Sequence, residues 1–175
     1  AGLLFTQLRI VDSTGAYIPT GQIGESICRG PNVMEGYYKD EKTSRDALRR
    51  GWLHTGDLGK MDEEGYVYIV GRLKDTIISG GENIYPHEVE EILFTHPKIR
   101  EAAVIGVPDP KWGEIVKAVV VLKPGQKVTE EEIILYCKQN IAPYKAPKLV
   151  DFVSELPKTT SGKIDKNFFA RSQRK

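Results

Sequence analysis

Four short segments carry residue types that can do chemistry. The first is Gly51-Trp52-Leu53-His54-Thr55-Gly56-Asp57-Leu58. An aspartate after a Thr-Gly turn presents two carboxylate oxygens from a rigid edge. That suits a pair of adjacent hydroxyls, such as those of a ribose. A turn-capping aspartate is the plainer alternative. The second runs from Gly71-Arg72-Leu73-Lys74-Asp75 to Ser79-Gly80-Gly81-Glu82-Asn83. Arg72 has the reach to meet a hydroxyl or a phosphate. Gly80-Gly81 lets a ligand come close to the backbone. A salt-bridged arginine and a β-bulge would account for the same residues.

The third segment is Leu156-Pro157-Lys158-Thr159-Thr160-Ser161-Gly162-Lys163-Ile164. It is not a Walker loop, because Pro157 stands where that pattern needs glycine. A Thr/Ser/Gly loop with one lysine nonetheless exposes a point charge that can be inserted against a phosphate. The alternative is a solvated loop lysine. The fourth pairs Trp112, in Pro110-Lys111-Trp112-Gly113, with Tyr144-Lys145-Ala146-Pro147-Lys148. Exposed aromatics beside cations suit stacking on a base and pairing with phosphates, against the alternative of ordinary packing.

The elements that must position these groups divide the chain in two. Residues 1–73 read as β. Leu8, Ile10 and Ile18 flank the turn Asp12-Ser13-Thr14-Gly15, and a strand covers 23–29. A short helix spans 40–48 with Asp40 as its N-cap. A hairpin joins 57–61 to 66–70 through Asp62-Glu63-Glu64-Gly65. This piece is too short to be a whole domain and is expected to be the trailing end of a larger one.

Residues 74–175 read as a compact α+β domain, a small sheet with flanking helices. Pro86 opens a helix to about Thr95, with Val89, Ile92 and Leu93 on one face. Strands cover 102–107 and 115–122. Thr129 and Glu132 fit a capping box for a helix to about Asn140. A strand over 149–153 and a short helix over 166–171 follow.

Composition excludes several classes. Lys and Arg number 25 against 24 Asp and Glu, a net charge of +1 over 175 residues. That balance does not fit a chain built to grip nucleic acid. The tail from residue 158 is basic, with six cations against Asp165, and reads as a solvated end. The longest apolar runs fall far short of the ~18–20 residues a membrane helix needs. The first residues show no signal-peptide pattern. Cys28 and Cys137 share no CxxC spacing and read as reduced thiols of a cytoplasmic protein. The three histidines are scattered, so no metal site is expected.

Taken in order and spacing, the segments resemble the C-terminal third of an acyl-CoA synthetase of the adenylate-forming, AMP-binding superfamily. Relatives there include fatty-acyl, benzoate, chlorobenzoate and coumarate CoA ligases, luciferase and peptide-synthetase adenylation domains. The likeness also draws on Gly21-Gln22-Ile23-Gly24-Glu25 and Gly30-Pro31-Asn32-Val33-Met34-Glu35-Gly36-Tyr37. The resemblance implies that Asp57 holds the ribose hydroxyls of ATP and the acyl-adenylate, with Arg72 assisting. It implies that Lys74 is a hinge and Lys163 the catalytic lysine of adenylation. Gly80 and Gly81 would line the pantetheine tunnel. Trp112, Tyr144 and Lys148 would meet the CoA nucleotide, as in chlorobenzoate ligase.

The implied reaction joins a carboxylic acid, fatty or aromatic, to CoA at the expense of ATP, releasing AMP and pyrophosphate. ATP with Mg2+ and CoA are the expected co-substrates. The magnesium ligand, the phosphate loop and the acyl pocket of the family lie upstream of this region, so the chain alone is expected to be inactive. The sequence departs from parts of the family at Ile78, Asn83 and Ala146, where some members carry lysine or arginine. Two alternatives remain open: an adenylation domain loading a carrier protein, and a non-catalytic module binding CoA or a partner. Oligomeric state and the identity of the acid are not readable from the sequence.

Overall fold

A computed structural model describes residues 5–166, 168 and 169. The chain divides into two compact units, Ala1–Lys74 and Asp75–Lys175, each described by itself. Lys74 ends the first unit, in a 3-10 turn over Leu73–Asp75, where the sequence placed it at the head of the second. No helix among the described residues is long and apolar enough to cross a membrane.

The first unit holds β1 (Gln7–Val11), β2 (Gly24–Arg29), α1 (Glu41–Ala47), β3 (Leu48–Arg49), β4 (Trp52–Met61) and β5 (Val67–Arg72). β4 is the central strand of an antiparallel sheet. β2 lies on one edge of it, and β3 and then β5 lie on the other. β1 extends the sheet beyond β2. Asp12 and Asp62 close the two tight turns with side-chain oxygens. Asp12 accepts from the amides of Thr14 and Ala16, and Asp62 from those of Glu64 and Tyr66. Beyond the Asp12 turn the chain returns to β1 through a single bridge, Val11 to Tyr17, and the Ile18 amide donates to Ile10 O at 3.3 Å. Asp40 caps α1 by accepting from the Thr43 amide at 3.0 Å. Among the described residues the buried apolar side chains here are few: Ile10, Val11, Ile27 and Leu58.

The second unit holds β6 (Ile77–Ser79), β7 (Glu82–Ile84), α2 (Pro86–Thr95), β8 (Ile99–Asp109), β9 (Gly113–Leu122), α3 (Glu130–Asn140) and β10 (Leu149–Phe152). β9 runs antiparallel to β8 along its length, parallel to β10, and meets β6 at Ser79 and Gly113. Val116, Ala118 and Val120 pack with Val89, Leu93, Ile133 and Cys137 of α2 and α3. Val119 and Val121 pack on the other face with Ala103 and Leu156. A strand covered on both faces needs an unbroken apolar run, which is why 118–122 does not alternate. The capping box of α3 forms in both directions. The fold is α+β. Of the last expected helix, Lys166, Phe168 and Phe169 are helical, and the rest lies outside the described residues.

Candidate functional site

Asp57 does not follow a turn. It sits inside β4, which begins at Trp52, so the segment expected as a turn is strand with a local irregularity. Ile27 of β2 faces His54, and Glu25 faces Leu58. β4 therefore spends four steps where β2 spends two, and residues 55–57 bulge. Gly56 supplies the left-handed backbone, φ +69, that this bulge requires.

The bulge is fastened from beneath. Glu25 accepts the Gly56 amide at 3.1 Å through one oxygen and pairs with His54 Nδ1 at 2.7 Å through the other. Thr55 donates its hydroxyl to Ser26 O and accepts the Asp57 amide. Arg72, at the end of β5, is the ladder partner of Asp57. Its Nε lies 2.8 Å from Asp57 Oδ1, and its Nη1 donates to Thr55 O at 3.2 Å. Asp57 stays a third exposed. Glu25 is a positioning residue that sequence reasoning did not assign. Its place in the Gly-Gln-Ile-Gly-Glu segment was the only sign.

In the second unit, Gly80 and Gly81 form the two-residue turn of a β6–β7 hairpin, both at positive φ, +61 and +88. Such a turn is the usual home of Gly-Gly. The Gly80 amide donates to Trp112 O at 2.9 Å. A Cβ at Gly80 would come within 2.8 Å of Trp112 Cε3, so the indole lies directly against the turn. Lys148 Nζ stands 4.0 Å from the Trp112 ring centroid and Lys111 Nζ 4.9 Å. Asp109 holds the loop by accepting the amides of Lys111 and Trp112. Glu114 joins hairpin to sheet by accepting the Ile78 amide at 2.9 Å. Gly80, Trp112 and Lys148 therefore come together, with Gly81 beside them in the same turn.

Tyr144 lies in a 3-10 turn, Pro143–Lys145, half exposed, its ring 5.8 Å from Lys145 Nζ. Lys145 itself is taken up by Glu88, with both carboxylate oxygens within 2.8 Å. Burial works against its ammonium, but the Glu88 hydrogen bond and charge outweigh burial and raise its pKa. Ala146 is buried, so the position where some relatives carry arginine belongs here to the core.

Lys163 is exposed and has no ion-pair partner among the described residues. Its loop is a closed turn. The Thr159 amide donates to Lys163 O at 2.7 Å, that of Gly162 to Thr159 O at 2.8 Å, and that of Asp165 to Pro157 O at 2.8 Å. A single bridge pairs Lys158 with Ile164. No group of three or more His, Cys, Asp or Glu side chains that could hold a metal occurs among the described residues.

A partly exposed carboxylate paired with arginine, a glycine turn against a cation-flanked indole and a loop lysine with no ion-pair partner among the described residues are groups of the types that bind nucleotides and phosphates. Residues 88–163 match the model of the AMP-binding enzyme C-terminal domain. The chain is 48% identical to a feruloyl-CoA synthase of an Amycolatopsis species over 160 residues, 91% of the chain and 33% of that protein. It is 49% identical to a 2-succinylbenzoate–CoA ligase of Bacillus cereus strain Q1 over 158 residues, 90% of the chain and 32% of that protein. The ATP-bound MatB of Rhodopseudomonas palustris superposes with a TM-score of 0.91 at 41% identity, covering 96% of the chain and 34% of MatB. The chain thus spans about a third of the length of the relatives it matches. Residues 88–163 carry the AMP-binding enzyme C-terminal domain, and over about a third of their length the chain is similar to CoA ligases of the adenylate-forming superfamily.

Proposed function

We propose that the chain is the C-terminal part of an ATP-dependent acyl-CoA ligase acting on an aromatic or fatty acid. The observation that carries this reading is Lys163, exposed and with no ion-pair partner among the described residues, on a closed loop of the unit that matches the family. In the first half-reaction a substrate carboxylate oxygen attacks the α-phosphorus of ATP. The bond from that phosphorus to the pyrophosphate oxygen breaks, giving acyl-adenylate. Negative charge builds on the α-phosphoryl oxygens, and the Lys163 ammonium offsets it. Asp57 accepts hydrogen bonds from the ribose hydroxyls, and Arg72 keeps its carboxylate oriented.

In the second half-reaction the CoA sulfur attacks the acyl carbonyl carbon and the bond to AMP breaks. Gly80 and Gly81, without side chains, admit the pantetheine arm beside the backbone. Trp112 stacks on the CoA base while Lys148 and Lys111 meet its phosphates. Tyr144 adds a contact at the same nucleotide. One lysine and one glycine turn on a single unit serve successive steps if that unit rotates, with Lys74 as the hinge. Magnesium accompanies ATP as its complex. The described residues offer it no ligand set, and no step here passes through it.

The test is carboxylate-dependent ATP–pyrophosphate exchange across a panel of acids, on this chain and on the protein extended upstream in the same reading frame. Exchange in the extended protein alone, followed by thioester formation with CoA, supports the proposal and identifies the acid. No exchange in either overturns it. Exchange whose product forms on a carrier thiol and not on CoA replaces the ligase with a carrier-loading enzyme.

A further inference from the structure

Glu90 is a buried carboxylate on the core side of α2, 9% exposed beside Val89 and Leu93. Its Oε1 accepts the Val104 amide of β8 at 2.8 Å. The same oxygen lies 2.6 Å from Lys166 Nζ. Lys166 stands three residues beyond Lys163, so this ion pair ties the C-terminal end of the lysine loop to α2 and β8 together. Ile164 packs against the cluster of Ala103, Val119, Val121 and Leu156. The other end of the loop is held more loosely. Lys158 Nζ is 3.6 Å from Glu101 Oε2, with the lysine half exposed.

The pair is only partly buried, with the Lys166 side chain 29% exposed against 12% for Glu90, and between desolvation on one side and solvent screening on the other such a pair adds little to stability. What it supplies is direction. The carboxylate is already fixed by Val104, so it sets where Lys166 sits and thereby where the loop ends. We infer that Glu90 and Lys166 are a positioning pair that aims Lys163 for the adenylation step. This rests on the reading of Lys163 given above. Neither residue touches substrate. They act through the loop, and an ångström of misplacement at a charged transition state costs as much as ~100-fold in rate.

The experiment uses the full-length protein carrying this chain, with Lys166→Met, Lys166→Arg, Glu90→Gln and Lys163→Ala compared. Three quantities are read: kcat and KM for ATP in pyrophosphate exchange, thioester formation from supplied acyl-adenylate, and the unfolding midpoint. Glu90→Gln keeps an oxygen for the Val104 amide and removes the charge. The expected result is an exchange kcat lowered about 10-fold or more in Lys166→Met and Glu90→Gln, within the ~100-fold scale of misplacement. KM for ATP, thioester formation and the midpoint stay near those of the parent, and Lys166→Arg recovers most of the exchange. Parental exchange in both variants overturns the positioning pair, provided Lys163→Ala has lost exchange. Equal loss of both half-reactions, a lowered midpoint, or no recovery by arginine also overturns it and leaves a structural pair. If Lys163→Ala retains exchange, the reading of Lys163 falls, and the positioning role falls with it.

Discussion

Arg72 Nε lies 2.8 Å from Asp57 Oδ1, and the two residues are direct partners across the β4–β5 ladder. The ladder brings them together, beside the bulge at residues 55–57. Arg72 is half exposed and Asp57 a third exposed, a setting in which ion pairs contribute ~0–1 kcal/mol to stability. Arg72→Ala should therefore change the unfolding free energy by less than about 1 kcal/mol while raising KM for ATP well above the parent value. Denaturant unfolding and exchange kinetics on the same preparation check this. A stability loss with unchanged KM contradicts a ligand role.

Glu25 fastens the bulge by two hydrogen bonds, to His54 and to the Gly56 amide. Glu25→Ala removes both acceptors and leaves the amide without its partner. Hydrogen bonds to charged groups contribute ~1.5–3 kcal/mol, and a loss of that order is expected in unfolding, together with weaker ATP binding. A variant with parental stability would show that the carboxylate does not hold the bulge.

Gly80→Ala meets two obstacles. Its φ of +61 suits glycine, and the new Cβ would fall 2.8 Å from Trp112 Cε3. The left-handed conformation alone costs about 1–2 kcal/mol for a side chain with a Cβ, and the indole must also shift. Tryptophan fluorescence should change, and KM for CoA should rise with pyrophosphate exchange spared. Unchanged fluorescence and KM would separate the turn from the CoA site.

His96 gives the second unit a pH dependence. It is 8% exposed, and burial is the leading cause of its lowered pKa. Lys98 and Lys123 push the same way and Glu132 opposes them. The native ring resists protonation, its Nδ1 accepting the Lys98 amide at 3.3 Å. The unfolded chain takes up a proton below about pH 6.5. The unfolded state then binds more protons, so stability falls as pH drops through that value. Urea midpoints at about pH 7.5 and 5.5 should differ less in His96→Gln than in the parent; an equal difference in both rules the histidine out.

Cys137 is fully buried and its thiol is pushed up to about 11 by burial. At pH 8 the reactive thiolate is about one part in a thousand. Cys137 should resist a thiol reagent until the second unit unfolds, with the modified residue identified by peptide mass. Rapid labelling in the native state would contradict the packing seen between α2 and α3.

Local physics made much of this readable. Thr129 and Glu132 make their capping box within four residues, and the run 118–122 reports a strand buried on both faces. Pro86 marks the start of α2 for the same reason of short range. The β7 strand went unread although Gly80-Gly81 announces a two-residue turn, because Glu82 and Asn83 are poor strand formers. Thr55-Gly56 was read as a turn before a strand starting at Asp57, because Gly56 breaks the pattern, whereas the strand already starts at Trp52 and keeps its pairing through a bulge. Glu25 and Glu90 were not assigned. Each works on residues distant in sequence, and no local pattern announces a carboxylate whose partner arrives only with the tertiary fold.

The most direct test of the central claim compares the two half-reactions in Lys163→Ala of the full-length protein. Losing one preorganised donor at a developing negative charge costs about 100- to 1,000-fold. The account predicts a loss of that size in carboxylate-dependent pyrophosphate exchange, with thioester formation from supplied acyl-adenylate near the parent rate. Retained exchange, or equal loss in both half-reactions, would contradict the role given to Lys163.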